Sequence, residues 1–524
     1  MLYFIPAWYK ENNWNENEQV WYRRKLKSEF DETIKQITLF HRNVKIPYRI
    51  IVLAFSPNLR HFLHRQGMYR AAHWSCFDAM LQIKRQKAEV LSYNDMDWPE
   101  GTEFVYSPFA VNVFLHGDKY ALIDFGENGN PISVSRYSGG ELTCKNYYDD
   151  RGFMAMTVIH EGGKEKYRDY LMEDGTWKLR QYAQDGHVEV NQECPEYDIE
   201  DKTGVRKVSY QRKVYQSMEE VIEEVLSNYL KMTDEKDKFF VAAHELHMRM
   251  LDRCLINKKT VITFFGDRYD YRKLSEISGF MQRALYVIAD SEQTQIKIKE
   301  NLDNVPVNIR NISPYDTRMD FGISQQLKVQ NILVPVDGIT EEELREIILQ
   351  VSAYMQGNPL ARVHLFTRNA TWGYEDKLKN QVAGILEEAG IAREWVIGDK
   401  KAADSEESSL HFYVDVCVDE RTISQCINEQ RVILDLRRTT DVYVFVTAIS
   451  KGVPRISMSH DEYFEHGKNG YIINNYHKIR EALSYYLDNF ENWNEALVAC
   501  YEIGQKYTTD VLLKVWREVL DINE

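Results

Sequence analysis

Two histidines three positions apart, His244 and His247, enclose Glu245 in the sequence His-Glu-Leu-His. A zinc site on one helix face requires histidines four positions apart, so this spacing favours buried structural histidines over metal ligands. The sequence contains neither a Gly-x-Ser-x-Gly nucleophile elbow nor a phosphate-binding P-loop. We therefore expect no metal, no cofactor, and neither serine-hydrolase nor triphosphatase chemistry.

Three tryptophans, Trp8, Trp14 and Trp21, lie in the Asn- and Glu-rich segment that follows the first apolar run. Loops that hold a phosphate need glycine so that the backbone can approach the ligand, and here the first glycine is Gly67. Two interpretations remain open. The segment is a loop packed on the domain surface, or its indoles form an aromatic platform on which sugar rings stack.

The order of residues between Arg437 and Tyr471 gives the strongest functional indication. A helix with Thr447 is followed by Gly-Val-Pro, a short strand, and an Asn-Gly-Tyr turn that begins at Asn469. This order resembles the C-terminal half of GT-B glycosyltransferases. The resemblance makes Asn469, together with the three tryptophans, a candidate glycan contact in the cleft.

Retaining members of that fold place two glutamates eight positions apart, one at the donor sugar and one at the nucleotide ribose. The corresponding positions here are Thr439 and Thr447, and a neutral hydroxyl lacks the stronger charge-assisted hydrogen bond of a carboxylate. The loop after Val336 carries three consecutive acids, Glu341 to Glu343, which would repel a diphosphate. The sequence therefore predicts a degenerate donor site with no catalytic residue.

The elements that would position these residues are doubly wound. Leu2–Ile5 and Tyr48–Phe55 are apolar runs typical of buried parallel strands, and an amphipathic helix separates them. A second series of strands and helices begins at Asn331 and includes a predicted strand at Val442–Val446. Between the two series, paired Asp-Gly and Gly-Gly turns predict an antiparallel meander.

These patterns predict an α/β protein with two Rossmann-like doubly wound domains and an inserted, extended antiparallel β-sheet domain. The first domain is predicted to comprise 1–102 and 213–310, the insertion 103–212, and the second domain 328–490. The remaining segment, 491–524, is predicted to be a C-terminal helix that packs back on the first domain.

The amino-acid composition argues against some classes of binding partner. The chain has 524 residues and a net charge of −15, which argues against broad nucleic-acid or membrane-surface binding. Seven dispersed cysteines without CxxC spacing indicate reduced thiols. We find no basic leader before the first apolar run and no apolar segment near the ~18 residues that a spanning helix needs. We expect a cytoplasmic protein.

Over nearly its whole length, the chain resembles the first subunit of the Asp group (accessory secretory proteins) in the accessory Sec system of Gram-positive bacteria. The segments that carry the resemblance are Met1–Trp8, Leu26–Ile37, Phe62–Gln66 and Asp149–Phe153. Asp149–Phe153 also has a local interpretation, as a recognition loop or as a hairpin turn with core aromatics.

The resemblance implies a GT-B-like, non-catalytic subunit that acts with the second and third Asp-group subunits. It also implies export of glycosylated serine-rich-repeat adhesins through a motor ATPase, with glycan binding and a peripheral position at the membrane through the translocase. The alternative is an active retaining glycosyltransferase that modifies the adhesin. A third possibility is a pure scaffold with an empty cleft.

Overall fold

Three sheets organise the molecule. The computed structural model describes residues 1–9, 12–15, 31–43, 46–201, 204–302, 306–391, 395–396, 410–438 and 441–521. Two of the sheets are parallel and one is antiparallel. A further two-stranded hairpin accompanies them.

The chain opens with alternating strands and helices. They are β1 (Leu2–Ile5), α1 (Glu32–Asn43), β2 (Tyr48–Val52), α2 (Leu59–Arg65), β3 (His73–Ser75) and α3 (Cys76–Leu81). All four residues of β1 are buried, as expected for a central parallel strand covered on both faces. Asp31 caps α1, since its carboxylate accepts the backbone N–H of Thr33 at 2.9 Å.

The antiparallel region follows. Its strands are β4 (Thr102–Tyr106), β5 (Ala110–Leu115), β6 (Asp118–Phe125), β7 (Pro131–Ser138), β8 (Glu141–Asp149), β9 (Phe153–Glu161), β10 (Lys164–Leu171), β11 (Trp177–Tyr182), β12 (Val188–Val190), β13 (Glu196–Asp201), β14 (Gly204–Ser209) and β15 (Val214–Tyr215). Ten of them form one sheet in the order β15-β12-β11-β10-β9-β8-β7-β6-β5-β4, and β13 pairs with β14. Each strand from β4 to β11 pairs with the next one along the chain, which is the predicted meander.

The first parallel sheet is completed only after this insertion. The elements are α4 (Met218–Leu230), β16 (Lys238–Ala242), α5 (Met248–Cys254), β17 (Lys259–Phe264), α6 (Ser278–Arg283), β18 (Tyr286–Ala289), α7 (Glu292–Glu300) and β19 (Ile309–Asn311). The strand order is β19-β18-β17-β16-β1-β2-β3, so β1 lies between strands from both sides of the insertion.

The second parallel sheet and the tail contain the remaining elements. They are β20 (Gln330–Pro335), α8 (Glu341–Met355), β21 (Ala361–Thr367), α9 (Tyr374–Glu388), β22 (Phe412–Val416), α10 (Glu420–Asn428), β23 (Val432–Asp435), α11 (Val442–Lys451), β24 (Arg455–Ser457), β25 (Gly470–Ile472), α12 (Ile479–Leu487), α13 (Phe490–Gly504) and α14 (Thr509–Leu520). The strand order is β22-β21-β20-β23-β24-β25.

The prediction of a strand at Val442–Val446 was wrong, because this run is the first half of α11. The Asp441 side chain accepts the N–H of Val444 and begins the helix, and Gly452 ends it in the left-handed conformation with φ of 70°. Residues 442 and 444–451 are all buried. Because almost all residues of this helix are buried, it has no exposed polar face, and its apolar first half has the sequence of a buried strand.

The tail also differs from its prediction. Trp493 and Ala496 of α13 lie in the core of the second sheet, not against the first. Only α14 crosses back, where Trp516 packs edge-to-face on Phe40 of α1 with ring centroids 5.4 Å apart. The last helix, α14, therefore packs on the first half of the chain, while α13 belongs to the second.

Two further observations concern the described ranges. All seven cysteines are free thiols. None of the helices found there combines the length and the apolar character required to cross a bilayer.

Candidate functional site

A cleft of about 950 Å³ separates the two parallel sheets, walled by α1 on one side and by α10 and α11 on the other. Lys35 of α1 forms an ion pair with Glu420 of α10 across this space. The Tyr443 hydroxyl of α11 donates to the backbone oxygen of Glu420 at 3.0 Å. Crevices of this kind, between doubly wound units, are the usual ligand-binding position in α/β folds.

One of the two predicted donor positions lies in this cleft. Thr447, in the second turn of α11, is 7% exposed and lines the cleft wall beside Tyr443. One turn further along the same helix lies Lys451, whose ammonium forms an ion pair with Asp320 at 2.6 Å. Thr439, the other position, lies outside the described residues, as does Trp21.

The carboxyl ends of β20, β21 and β23 hold a compact set of paired charges. Arg437 Nε and Nη2 donate to the two oxygens of Asp435 at 2.9 and 2.7 Å, and both side chains are buried. Burial opposes the charge on Arg437, yet the Asp435 carboxylate raises the pKa of the guanidinium above its usual value. Arg437 therefore stays charged and fully engaged.

A second arginine at the same edge is engaged in a similar way. Arg368 Nη2 donates to Asp441 Oδ1 at 2.9 Å, and Arg437 Nη1 lies 3.7 Å from the other oxygen of Asp441. The backbone N–H of Arg368 donates to Asp337 at 2.7 Å. Both arginines at this edge thus have carboxylate partners within the chain.

The acidic loop after Val336 has a structural role at the start of α8. Thr340 caps the helix, and its hydroxyl and the Glu343 carboxylate satisfy each other's backbone N–H groups in a capping box. Glu343 also accepts from Arg438 at 3.0 Å. The predicted repulsive acid at this position is therefore partly neutralised by an exposed arginine.

Two predicted glycan contacts do not line the cleft. Trp14 is only 9% exposed and packs edge-to-face on Tyr9, so its ring faces are covered by protein. Asn469 is 2% exposed and fixes its own turn, because its amide donates to Tyr463 O and its carbonyl accepts from Glu465 N. Buried side chains of this kind cannot present a platform to a sugar.

Trp8 is half-buried and lies against Phe62 with ring centroids 4.8 Å apart. This contact favours the interpretation of the segment as a loop packed on the domain surface. A fully exposed tryptophan among the described residues lies elsewhere: Trp372, in the loop between β21 and α9, is 98% exposed.

The histidine pair is structural. His247 is fully buried, accepts from the Tyr9 hydroxyl at 2.7 Å and donates to Ala242 O at 2.7 Å. Burial lowers the pKa of His247 well below its usual value and lowers that of His244 to about 4. Among the described residues, no cluster of three or more potential ligands is suited to a metal ion.

The Asp149–Phe153 segment is a hairpin turn, buried against the first parallel unit. Arg151 is 1% exposed and binds both Asp149 and Asp78, while Asp150 binds Arg60. Every charged side chain in this turn has a partner inside the protein. The turn therefore fixes the inserted sheet to α2 and α3. It is unavailable as a recognition loop.

Sequence reasoning missed the residues that define the cleft and its edge: Lys35, Glu420, Arg368 and Asp441. Each is a single charged residue in an amphipathic helix or a strand end, where charges are common for solubility alone. No local pattern distinguishes the few that pair across the molecule. The sequence also gave no sign that Trp372 is exposed, since an isolated tryptophan is most often part of a core.

Comparison with known proteins agrees with this architecture. The family model described as accessory Sec system protein Asp-1 matches residues 1–522. A curated relative of that name from Streptococcus gordonii is 28% identical over 537 residues, covering 99% of both chains.

Solved structures extend the comparison. A chain in a crystal structure of accessory secretory proteins 1, 2 and 3 from Streptococcus pneumoniae aligns with a TM-score of 0.80 and 27% identity, covering 99% of each chain. The pneumococcal O-GlcNAc transferase GtfA, solved with UDP and GlcNAc, aligns with a TM-score of 0.70 at 13% identity over 99% of this chain and 98% of its own. The latter likeness concerns the fold alone and confirms the predicted GT-B-like architecture. With a family model that spans almost every residue, the chain belongs to the family of the first Asp protein of the accessory Sec system.

Proposed function

We propose that this protein is a non-catalytic subunit of the accessory Sec export machinery, a pseudo-glycosyltransferase. It assembles with the second and third Asp-group subunits in the cytoplasm and handles glycosylated serine-rich-repeat adhesin on its way to the motor ATPase and the membrane channel. Membership of the family supports this role. So does the similarity to a chain crystallised with two other accessory secretory proteins.

The proposal that the protein is non-catalytic rests on one observation: the arginines at the carboxyl edge of the second sheet are paired with carboxylates. Transfer from a nucleotide sugar requires donors that stabilise the developing charge of the leaving diphosphate. Arg437 is bound to Asp435 and Arg368 to Asp441, so neither presents a free guanidinium. Thr447 adds a neutral hydroxyl where retaining enzymes place a carboxylate, which weakens the ribose contact as well.

Calorimetric titration with UDP-N-acetylglucosamine, UDP-glucose and UDP tests this part, together with a donor-hydrolysis assay. We expect no heat of binding at millimolar ligand and no release of UDP. An active retaining transferase of the same fold, run in parallel, establishes that the assay detects binding and turnover. Micromolar affinity with released UDP would show that the protein is the alternative, an active glycosyltransferase.

Assembly is tested separately. The full chain is co-expressed with the second and third subunits from the same genome and purified through a tag on one partner. We expect one complex by size-exclusion chromatography with light scattering. Recovery of the tagged partner without this chain at micromolar concentration would overturn the proposed assembly. Binding of glycosylated against unglycosylated adhesin fragments then separates a glycan-binding complex from a pure scaffold.

A further inference from the structure

Strand β4, at one end of the ten-stranded sheet, has a neighbour on one side only, β5. The backbone of an antiparallel strand alternates between groups that face one neighbour and groups that face the other. Ser107 N donates to Ala110 O at 3.0 Å across the connection to β5. By alternation, Glu103 and Val105 also face β5, so the backbone N–H and C=O of Phe104 and Tyr106 point away from the sheet.

The other sheet edges among the described strands are short or protected, as is normal for edge strands. At the opposite end of the same sheet, β15 has two residues, and β3, β19 and β25 have three each. The first residue of β22 is bridged by Val396, and β14 carries Arg206 and Lys207. Its partner β13 packs against α3 and α4, and its Asp198 and Glu200 accept hydrogen bonds from Gln82 and Arg49. β4 has five residues, no proline and no lysine. It is the edge with the least protection against an incoming strand.

The side chains of β4 are unusually apolar for an exposed strand. Tyr106 is 67% exposed and Val105 is 49% exposed, on opposite faces of the strand. The face below Phe104 is closed by Tyr93 and Trp98, each with ring centroids 5.6 Å from Phe104. These rings support the strand from one face and leave its outer edge open.

Acidic residues surround the edge. Asp95, Asp97, Glu100 and Glu103 are all exposed, and none of them forms an ion pair with the residues that the structure describes. Four unpaired carboxylates attract a cationic segment and repel an acidic one. They also argue against a second copy of this chain, since antiparallel pairing of two β4 strands would bring the same acids together.

We propose that β4 is a docking edge for an extended segment of a partner subunit, which adds one strand to the sheet and carries apolar side chains interspersed with lysine or arginine. Main-chain hydrogen bonds to Phe104 and Tyr106 give the affinity, and the acids around Glu103 select the basic strand. This inference rests on the assembly proposed above and assigns one of its contact surfaces.

Hydrogen exchange on the full chain, alone and in the complex with the second and third subunits, tests the proposal. In the complex, the amides of Phe104 and Tyr106 are expected to exchange at least tenfold more slowly. In the free chain both should exchange rapidly, whereas the amide of Val105 is already protected by β5. A complex that forms without slower exchange at β4 overturns the inference and leaves the proposed assembly intact.

Two variants at one position separate the backbone from the side chain. Tyr106→Pro removes an N–H that points away from the sheet, and proline is tolerated at such edge positions. We expect this variant to weaken assembly at least tenfold. Tyr106→Thr keeps the N–H and loses the ring, and it should weaken assembly clearly less. Equal effects of the two variants would overturn main-chain pairing.

Glu103→Lys tests the charge of the edge without introducing a proline. The Glu103 side chain is exposed and forms no ion pair with the described residues, so its replacement breaks no such contact within the chain. We expect assembly weakened at least fivefold at low salt, with a smaller effect at high salt. Unchanged affinity of both Glu103→Lys and Tyr106→Pro overturns the proposal. So does a dimer of the free chain by light scattering with β4 protected, which would identify a second copy as the occupant. Failure of the wild-type chain to form any complex overturns the assembly and this inference together.

Discussion

Arg151, in the turn between β8 and β9, donates two parallel hydrogen bonds to the Asp78 carboxylate in the first turn of α3, at 2.8 and 2.9 Å. The same guanidinium binds Asp149 through Nε at 2.6 Å. The inserted sheet is thereby fixed to the first parallel unit by a charge that is almost completely removed from water. Burial disfavours the charged form of Asp78, but Arg151 outweighs it and lowers the pKa of this carboxyl.

Replacement of Arg151 by methionine keeps the bulk of the side chain and removes the charge. We expect the free energy of unfolding to fall by about 3–5 kcal/mol, because Asp78 and Asp149 lose their closest cationic partner and keep only the longer contacts to Arg60. Thermal unfolding followed by circular dichroism measures the loss. Hydrogen exchange should show that α3 and the β8–β9 hairpin open first.

Arg345→Met is the matched control for this experiment. Arg345 pairs with Glu388 between α8 and α9, with both side chains about half exposed. Exposed pairs contribute little, so we expect a loss below about 1 kcal/mol. Equal losses in the two variants would contradict a special role for the buried arginine.

The ion pair between Lys35 and Glu420 links the two walls of the cleft with side chains 26% and 30% exposed. A double-mutant cycle with Lys35→Met and Glu420→Gln, followed by thermal unfolding, measures its strength. At this exposure we expect a coupling energy of about 0.2–1 kcal/mol that decreases as salt is added. A coupling of zero at low salt would mean that the pair does not help to hold the halves together.

Asp31 confers a pH dependence on stability. Burial, together with the charge of Glu32, raises the pKa of Asp31 to about 7. Between pH ~4 and pH 7 the folded state therefore holds a proton that the unfolded state has released, and the stability from this group is lost as the pH rises through that window. In Asp31→Asn the side chain no longer titrates and still caps α1. The melting temperature of the variant minus that of the wild type should then increase from pH 4.5 to pH 7.5.

Asp118→Asn, at an exposed position at the start of β6, serves as the control for the pH series. Its melting temperature should differ from that of the wild type by the same small amount at every pH. The prediction for Asp31 fails if its difference is equally flat. Comparison with the wild type at each pH cancels the contributions of His244 and His247, which are present in both proteins.

Trp372 is expected to contribute to glycan binding if the protein handles glycosylated adhesin as proposed. Its ring is 98% exposed, and it follows Asn369 and Thr371 at the carboxyl end of β21. Trp372→Ala should lower affinity for a fragment bearing N-acetylglucosamine about fivefold, as for the loss of about 1 kcal/mol of stacking. The melting temperature should stay unchanged because the ring is 98% exposed and its loss uncovers little apolar surface.

Phe490→Ala removes another exposed aromatic ring, 60% exposed at the start of α13, and is the control for Trp372. Its affinity for the glycosylated fragment should equal that of the wild type. If both variants or neither lose affinity, Trp372 has no specific part in glycan recognition. Biolayer interferometry with glycosylated and unglycosylated fragments measures both variants on the same scale.

Much of the architecture follows from the sequence because it depends on local patterns. Continuous apolar runs such as Leu2–Ile5 give buried parallel strands, and Gly-Gly turns such as Gly139-Gly140 give hairpins. The sequence therefore predicts two parallel sheets and an antiparallel insertion between them. The threonine at position 447 is likewise visible without a structure. The helix that carries it was partly misread, since an apolar run buried on all sides has no period that separates helix from strand.

The tertiary structure decided which charged residues meet. Arg368 and Asp441 are far apart in sequence, and only the parallel arrangement of β21 and β23 brings the ends of these strands to one edge. The same holds for Lys35 and Glu420 across the cleft. It also holds for the burial of Trp14, since the sequence left open whether this ring is packed in the protein or exposed as a platform. Pairing and burial are set by long-range packing, to which every element contributes, and the local pattern of residue types does not contain that information.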